Sequence, residues 1–307
     1  MSEYIKKPFK KNDGIYTFPI NDIETKKVTE FYKVTPFPNY KDDDNKQTIL
    51  DKGNRNILAQ KFKNFIGYKK KVLEVGCGTG QLSIYFSLAT NNQIVGLDPT
   101  IQSLNLAKNF VKKNQIANIE FINADIFDEV LIDNYFDFVW CNGVLHHTKN
   151  PYKAFEIISK TLKDEGYILV GLYNKIGRLR TIIRKYISKL FGIKFLEIFD
   201  PTLKNLKISN EERKSWIKDQ YFHPIESLHT LDEVLLWFKK NDIQYINSIP
   251  SCDFEVSHNY EDLFSIKSKG SFYSRIINQI FMIFNRLGSD GGLFIVIGKK
   301  NIKTNPK

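Results

Sequence analysis

The segment Val72-Leu73-Glu74-Val75-Gly76-Cys77-Gly78-Thr79-Gly80 constrains what this chain can fold into more than any other stretch. A short apolar run, long enough for one buried strand, ends in three glycines on alternate positions and opens into a helical pattern. Glycine has no Cβ and tolerates positive φ, so the backbone can turn sharply here and a ligand can lie almost on it. The first N–H groups of the helix that follows have no partner inside the helix and can face an anionic or polar group. The segment reads as a nucleotide-binding strand-to-helix turn.

From residue 71 onward strand and helix patterns alternate. Strands are expected at 71–75, 93–98, 119–123, 135–141 and 167–173, with helices near 80–90, 100–114, 126–132 and 151–163. Pro151 after Asn150 suits a first helical position, and Gly166 suits a helix stop. Further on, 231–241 reads as a helix, 243–249 as a strand, 272–287 as a helix and 293–298 as a strand. The pattern predicts an α/β fold, a doubly wound, mostly parallel sheet of seven strands covered on both faces. Residues 1–50, which hold Tyr32, Pro36, Phe37, Pro38 and Asn39-Tyr40, look too proline-rich and irregular for a core element. We expect an N-terminal extension or lid over 1–50 and a main domain over 51–307, with a lid insertion at 174–230.

With 307 residues and 42% hydrophobic content the chain can bury a sizeable core. Its three cysteines, Cys77, Cys141 and Cys252, are too widely spaced for a CxxC pair and fit a reducing compartment, so neither a disulfide framework nor a metal centre is expected. The first residues lack an apolar signal core, and no apolar run approaches the roughly 18 to 20 residues that span a bilayer. A cytoplasmic protein is expected. The net charge of +11 comes mostly from lysines spread along the chain, a pattern that serves solubility, with one local concentration at 175–194.

The spacing of the glycines separates two cofactor classes. A dinucleotide fingerprint is Gly-x-Gly-x-x-Gly, whereas here Gly76, Gly78 and Gly80 are followed by Gln81 and Leu82. The Gly-x-Gly-x-Gly form, preceded by Glu74, resembles the first motif of class I S-adenosylmethionine-dependent methyltransferases. The resemblance implies S-adenosylmethionine as cofactor and a Rossmann-like sheet whose final strand is inserted antiparallel. It also implies roles for residues at the strand ends, where open α/β sheets bind their ligands. Glu74 resembles the carboxylate that helps hold the cofactor's ammonium group, with Cys77 filling a small space in the turn. Asp98, 18 residues after Gly80, resembles the acid that accepts both ribose hydroxyls, a role compatible with capping the helix after Pro99. Ala124 and Asp125 lie in Asn123-Ala124-Asp125-Ile126, which resembles the adenine-contacting segment. Asn142 opens Asn142-Gly143-Val144-Leu145-His146-His147, where the family contacts the methionine end.

Methyl transfer from a sulfonium is an in-line displacement, so alignment of the reacting atoms is the protein's main task. An oxygen or protonated nitrogen acceptor must also lose a proton, and histidine suits that near neutral pH. His146 and His147 follow the fourth strand, and either is a candidate base, loop packing being their other reading. His223 lies in Gln220-Tyr221-Phe222-His223-Pro224-Ile225-Glu226-Ser227-Leu228-His229-Thr230, which supplies a third candidate in the insertion but no trusted metal-ligand spacing. The chain lacks the Asn/Asp-Pro-Pro-aromatic motif of amino-methylating enzymes that act on nucleic-acid bases, and Trp140, not proline, precedes Cys141. The Leu145-His146-His147 form with Asn150-Pro151 and Ala154-Phe155 looks closer to the small-molecule methylases of the quinone and type 11/12 groups. A small-molecule or lipid-like acceptor is expected, with RNA methylation and a non-catalytic cofactor-binding module as alternatives.

Residues 175–194 carry seven basic residues and no acidic one, with Leu179, Ile182, Ile183, Tyr186, Ile187, Leu190 and Phe191 at helical spacing. The expected basic amphipathic helix fits a lid packed on the core with a solvated lysine face. An anionic membrane surface is its second reading, and nucleic acid is disfavoured.

Overall fold

The sheet begins earlier in the chain than composition predicts. Strands β1 (Lys10–Asn12) and β2 (Ile15–Thr17) form an antiparallel hairpin around Asp13-Gly14, both of which have positive φ (45° and 81°). Asp-Gly favours such a two-residue turn, and the reading of residues 1–50 as irregular overlooked it. In the computed structural model, which describes residues 3–34, 36–200, 203–204, 210–253, 262–284 and 291–302, β2 then pairs parallel with the strand at 119–123 and adds an edge to the sheet. Helices α1 (Ile23–Val34), α2 (Lys46–Arg55) and α3 (Ile57–Ile66) follow. Asn45 and Asn56 cap the last two, Asn45 in a reciprocal capping box with Thr48.

Strand β3 (Lys71–Val75) stands at the centre, parallel to β4 (Gln93–Asp98) on one side and β6 (Phe136–Asn142) on the other. Beyond β4 lies β5 (Ile119–Asn123), and beyond β6 lies β7 (Leu162–Tyr173). Strand β8 (Ile243–Ile249) forms the far edge, and β9 (Leu293–Lys300) enters antiparallel between β7 and β8. These are the seven expected strands, and the hairpin extends them to nine in the order β1-β2-β5-β4-β3-β6-β7-β9-β8. Alternate residues feed two cores, Leu73, Val75 and Val139 one, Val72, Phe138 and Trp140 the other. A sheet buried on both faces reads as continuous apolar runs, which is why these strands were visible in sequence.

Helices α4 (Gln81–Ser87), α5 (Ile101–Lys113) and α6 (Pro151–Lys160) connect the parallel strands. Two expectations fail here. Residues 126–132 make only a single 3-10 turn, Ile126–Asp128, because Glu129 turns left-handed at φ 47° and Leu131 bridges to Ile5. Gly166 does not stop a helix: α6 ends at Lys160, and Gly166 sits inside β7 at a register shift against β6, where an added Cβ would lie 3.0 Å from the Asp137 carbonyl oxygen.

The insertion at 174–230 folds into α7 (Leu179–Phe191), α8 (Lys194–Phe199) and α9 (Asn210–Phe222). Helix α7 has the expected amphipathic pattern but not the expected orientation. Its polar Thr181, Arg184 and Ser188 face inward, whereas Leu179, Ile183, Tyr186, Leu190 and Phe191 are exposed and only Ile182 and Ile187, at the flanks of the apolar side, are half-buried. Helices α10 (Leu231–Lys240) and α11 (Phe272–Phe281) complete the chain; the expected continuation of the latter to 287 runs partly outside the described residues.

The hairpin's place in the sheet has a measurable consequence. Ile15 is fully buried, so Ile15→Ala should lower unfolding free energy by about 2–5 kcal/mol. Chemical denaturation measures this, and a loss below about 0.5 kcal/mol, as for a surface position, would show that residues 10–17 are a loose arm.

Candidate active site

Because β4 and β6 flank β3 on opposite sides, the chain reverses its winding at the carboxyl end of β3, where a crevice opens. Gly76, Gly78 and Gly80 all have positive φ, 67°, 52° and 72°. A side chain at Gly78 would also meet the Phe37 carbonyl oxygen at 2.5 Å, so this turn requires glycine for both conformation and space. Residues 36–40 lie against it. The Thr79 hydroxyl donates to the Pro38 carbonyl, Gln81 Nε2 to the Asn39 carbonyl at 2.9 Å, and the Tyr40 hydroxyl to the Thr79 carbonyl at 2.7 Å.

A cavity of about 480 Å³ runs from this turn across the strand ends. Its size falls in the usual range for a small-molecule site, roughly 300–1,000 Å³. Of the residues singled out in the sequence, Glu74, Gly76, Cys77, Gly78, Asp98, Asp125, Asn142 and His147 line it, whereas Gly80, Ala124, His146 and His223 do not. Gly80 instead caps α4, and an added Cβ there would strike Ala107 and Phe121 at 2.9 Å. Ala124 is fully buried in the core.

Asp98 is held by two backbone amides, Gly78 N–H on Oδ2 and Thr100 N–H on Oδ1, both at 2.8 Å. Burial raises its pKa, opposed by those amides. Each carboxylate oxygen keeps a lone pair for a further donor, so the capping and ligand-binding roles are compatible. Asp125 Oδ1 accepts from Phe127 N–H at 3.0 Å, and Oδ2 from the Thr25 hydroxyl of α1 at 2.6 Å. Glu74 is buried and accepts from the Ser83 hydroxyl. Burial pushes its pKa up to about 8, the Ser83 bonds opposing the rise and the neighbouring Asp98 charge adding to it. Asn142 Oδ1 is buried without a hydrogen-bond partner among the described residues, and the space that a Cβ on Gly143 would take is open. An uncompensated buried acid, an unsatisfied amide oxygen and a side-chain-free backbone suit a cationic, hydrogen-bonding ligand.

The other half of the cavity is walled by α1 and α9, which fall within the two segments expected to act as lids. Tyr32, Trp216, Asp219 and Gln220 line it beside His147 and Tyr173. The Tyr32 hydroxyl donates to Asp219 Oδ1 at 2.8 Å, and Gln220 Nε2 donates to the Tyr173 hydroxyl at 2.9 Å. Burial raises the Asp219 pKa. Trp216 Nε1 is buried without a partner among the described residues. Fully buried Arg178 fixes this wall, its guanidinium donating to Glu226, to Gln220 and to the Gly291 carbonyl over the Tyr173 ring.

The three histidines pack together but differ in access. His147 Nδ1 lies 2.7 Å from the Ile225 carbonyl oxygen, so the ring donates there and Nε2 is the nitrogen left to accept. His223 Nδ1 reaches the same oxygen at 2.6 Å, and the two rings lie 3.6 Å apart. His146 sits behind, its Nδ1 accepting from Tyr173 N–H at 3.3 Å. Burial, before neighbouring charges, lowers all three, His147 to about 4 and His223 to about 3. All are neutral near pH 7.

Comparison with known proteins agrees with this geometry. A family model described as a methyltransferase domain matches residues 66–225, just over half of the chain. The chain is 26% identical over 213 residues to a ubiquinone biosynthesis O-methyltransferase of Haemophilus ducreyi, covering 67% of this chain and 81% of that one. It is 26% identical over 194 residues to phosphoethanolamine N-methyltransferase 1 of Zea mays, covering 61% and 36%. In fold it is similar to PKMT2 from Rickettsia typhi, with a TM-score of 0.56 at 16% identity over 94% of this chain and 56% of that one. The matched stretch spans less than half of the first curated relatives, 48%, 41% and 38% of their lengths. The matched domain, the glycine turn and the inserted antiparallel strand together place the chain in the methyltransferase-domain family, among the class I S-adenosylmethionine-dependent methyltransferases.

Proposed function

We propose that this protein transfers a methyl group from S-adenosylmethionine to a small-molecule acceptor held between α1 and α9. The observation that carries the reading is the continuous cavity joining the glycine turn, Glu74 and Asp98 to Tyr32, His147 and Asp219. Bound on the first side, S-adenosylmethionine supplies an electrophilic methyl group. Asp98 would accept from the ribose hydroxyls, Asp125 would bind the adenine end, and Glu74 with Asn142 would receive the ammonium group. The ubiquinone and phosphoethanolamine enzymes among the relatives support a small acceptor.

On the acceptor side Tyr32, Tyr173 and Trp216 give apolar ring surface, and Asp219 and Gln220 give polar contacts that orient the acceptor. His147, neutral with Nε2 unprotonated, takes the acceptor's proton as the new bond forms. His146 and His223 act by holding its ring, one at 4.1 Å and the other at 3.6 Å between centroids.

Three measurements test this. Titration calorimetry should detect S-adenosylmethionine binding that Asp98→Ala weakens about 100-fold, since hydrogen bonds to a charged group contribute about 1.5–3 kcal/mol each; undiminished binding by the variant would remove the ribose assignment. In labelled-methyl transfer to extracted small molecules, His147→Asn should lower kcat about 100-fold with unchanged cofactor affinity. The wild-type acid limb should fall near pH 4, where His147 becomes protonated; a limb near 6.5 with an active variant would exclude His147.

Glu74 gives the third test. Its folded pKa of about 8 exceeds the ordinary 4.5, so the folded state binds more protons and stability falls as pH rises through that window. Glu74→Gln should lack this slope, and its denaturation midpoint should gain on the wild type as pH rises from 4.5 towards 8. Binding of the cationic cofactor should reverse the sign locally, tightening as pH rises and releasing a proton near neutral pH. Buffer-independent binding heats would count against Glu74 as the ammonium partner.

A further inference from the structure

Helix α7 is amphipathic in the reverse sense to a helix packed on a core. Leu179, Ile183, Tyr186 and Leu190, at spacings that stack them on one face, are 45%, 47%, 63% and 80% exposed. Thr181, Arg184 and Ser188 are buried on the opposite face, where Arg184 hydrogen-bonds Tyr221. Helix α11 repeats the inversion. Its Ser274 and Gln279 point inward, with Gln279 Oε1 accepting from Asn174 Nδ2 at 2.7 Å and from Leu231 N–H at 3.1 Å. Tyr273, Ile277 and Ile280 face outward. Ser188 donates to the Lys185 carbonyl and Ser274 to the Cys252 carbonyl, so Arg184, Ser188, Ser274 and Gln279 are all partnered and the outward apolar faces belong to the folded arrangement.

The two helices adjoin. Arg180 Nη1 donates to the Ile283 carbonyl at 3.3 Å just past α11, and Gly177 packs on Met282. Fourteen of the twenty-four exposed large hydrophobic residues among the described residues fall within 179–199 and 272–284. A concentration of this kind marks an interaction surface.

Charge selects the partner. At about 3.6 residues per turn, Arg180 lies roughly 100° to one side of the α7 apolar stripe, and Lys185 and Lys189 lie roughly 80–120° to the other. Residues 175–194 contain no acidic residue. A second copy of the chain would bring the same cations against each other, and a nucleic acid would leave Ile183 and Leu190 in water. A surface that is anionic outside and apolar beneath accommodates both features. We infer that α7 and α11 form a docking face for an anionic lipid bilayer, the apolar stripes entering the interface and the flanking cations meeting the headgroups. Among the described residues no helix is long and apolar enough to cross a membrane, so the helices lie along the surface. Helix α7 packs on α9, which carries Asp219 and Gln220, so docking sets the acceptor side of the cavity one helix away from the lipid.

Co-sedimentation of the full chain with vesicles tests the inference. Binding is expected with phosphatidylcholine mixed with phosphatidylglycerol, weakening as salt rises, and not with phosphatidylcholine alone. Lys185→Gln with Lys189→Gln should weaken it about 30-fold, each cation contributing about 1 kcal/mol at such a surface. Tyr186→Ser with Leu190→Ser should weaken it about tenfold or more. Both variants leave the cavity residues untouched, so circular dichroism and S-adenosylmethionine binding equal to wild type keep this result separate from the catalytic reading. Absence of vesicle binding overturns the inference. So does binding that either variant leaves unchanged, or a dimer in sedimentation velocity that Leu190→Ser dissociates without any vesicle binding.

Discussion

The carboxylate of Asp98 ties together the parts on which the cavity depends. It takes one amide from the glycine turn after β3 and one from the start of α5, both at 2.8 Å. The Leu97 carbonyl beside it accepts from Gly76 N–H at 2.7 Å and from Cys77 N–H at 3.2 Å. The end of β4 thus fixes the turn of its neighbour in a left-handed conformation that only glycine adopts without strain. Charge-assisted bonds to amides are shorter and stronger than neutral ones, which suits a group that must stay in place beside a bound ligand. The N-terminal segment is then seated on the fixed turn through Phe37, Pro38 and Tyr40.

What was legible in the sequence follows from how each element is stabilised. Strands β3, β4 and β5 match their expected bounds because both faces are buried and the apolar run has nothing to interrupt it. Asp98, Asp125 and Asn142, singled out by the resemblance, all line the cavity because a strand end in this topology points at the crevice. Strands β1 and β2, three residues each, are too short to show periodicity, and Lys10-Lys11-Asn12 is entirely exposed. Only Asp13-Gly14 marked them. Tyr32 and Asp219 were not legible as a pair, since 187 residues separate them and nothing local in either helix signals the other. The amphipathic pattern of 175–194 was legible, but periodicity reveals that a helix has two faces and not which one the protein covers.

The histidines illustrate a related limit. Adjacent His146 and His147 look equivalent in sequence, yet a 3-10 turn at Leu145–His147 directs one ring behind Tyr173 and the other to the cavity. The Ile225 carbonyl then anchors His147 and His223 together. Burial keeps these rings uncharged, which removes the repulsion that stacked imidazolium ions would suffer.

Arg178 binds Glu226, Gln220 and Gly291, which belong to the chain after α9, to α9 itself and to the turn before β9. With a buried guanidinium as rivet, these pieces shift only together, because moving one alone would strand a charge away from water. Helix α1 on the opposite side is held by Thr25 to Asp125 and Tyr32 to Asp219, by the Phe31 and Tyr32 rings against His223, and at its start by Lys149 to Asp22. One wall of the cavity is thus tied by a buried charge, and the other by separate contacts spread along α1.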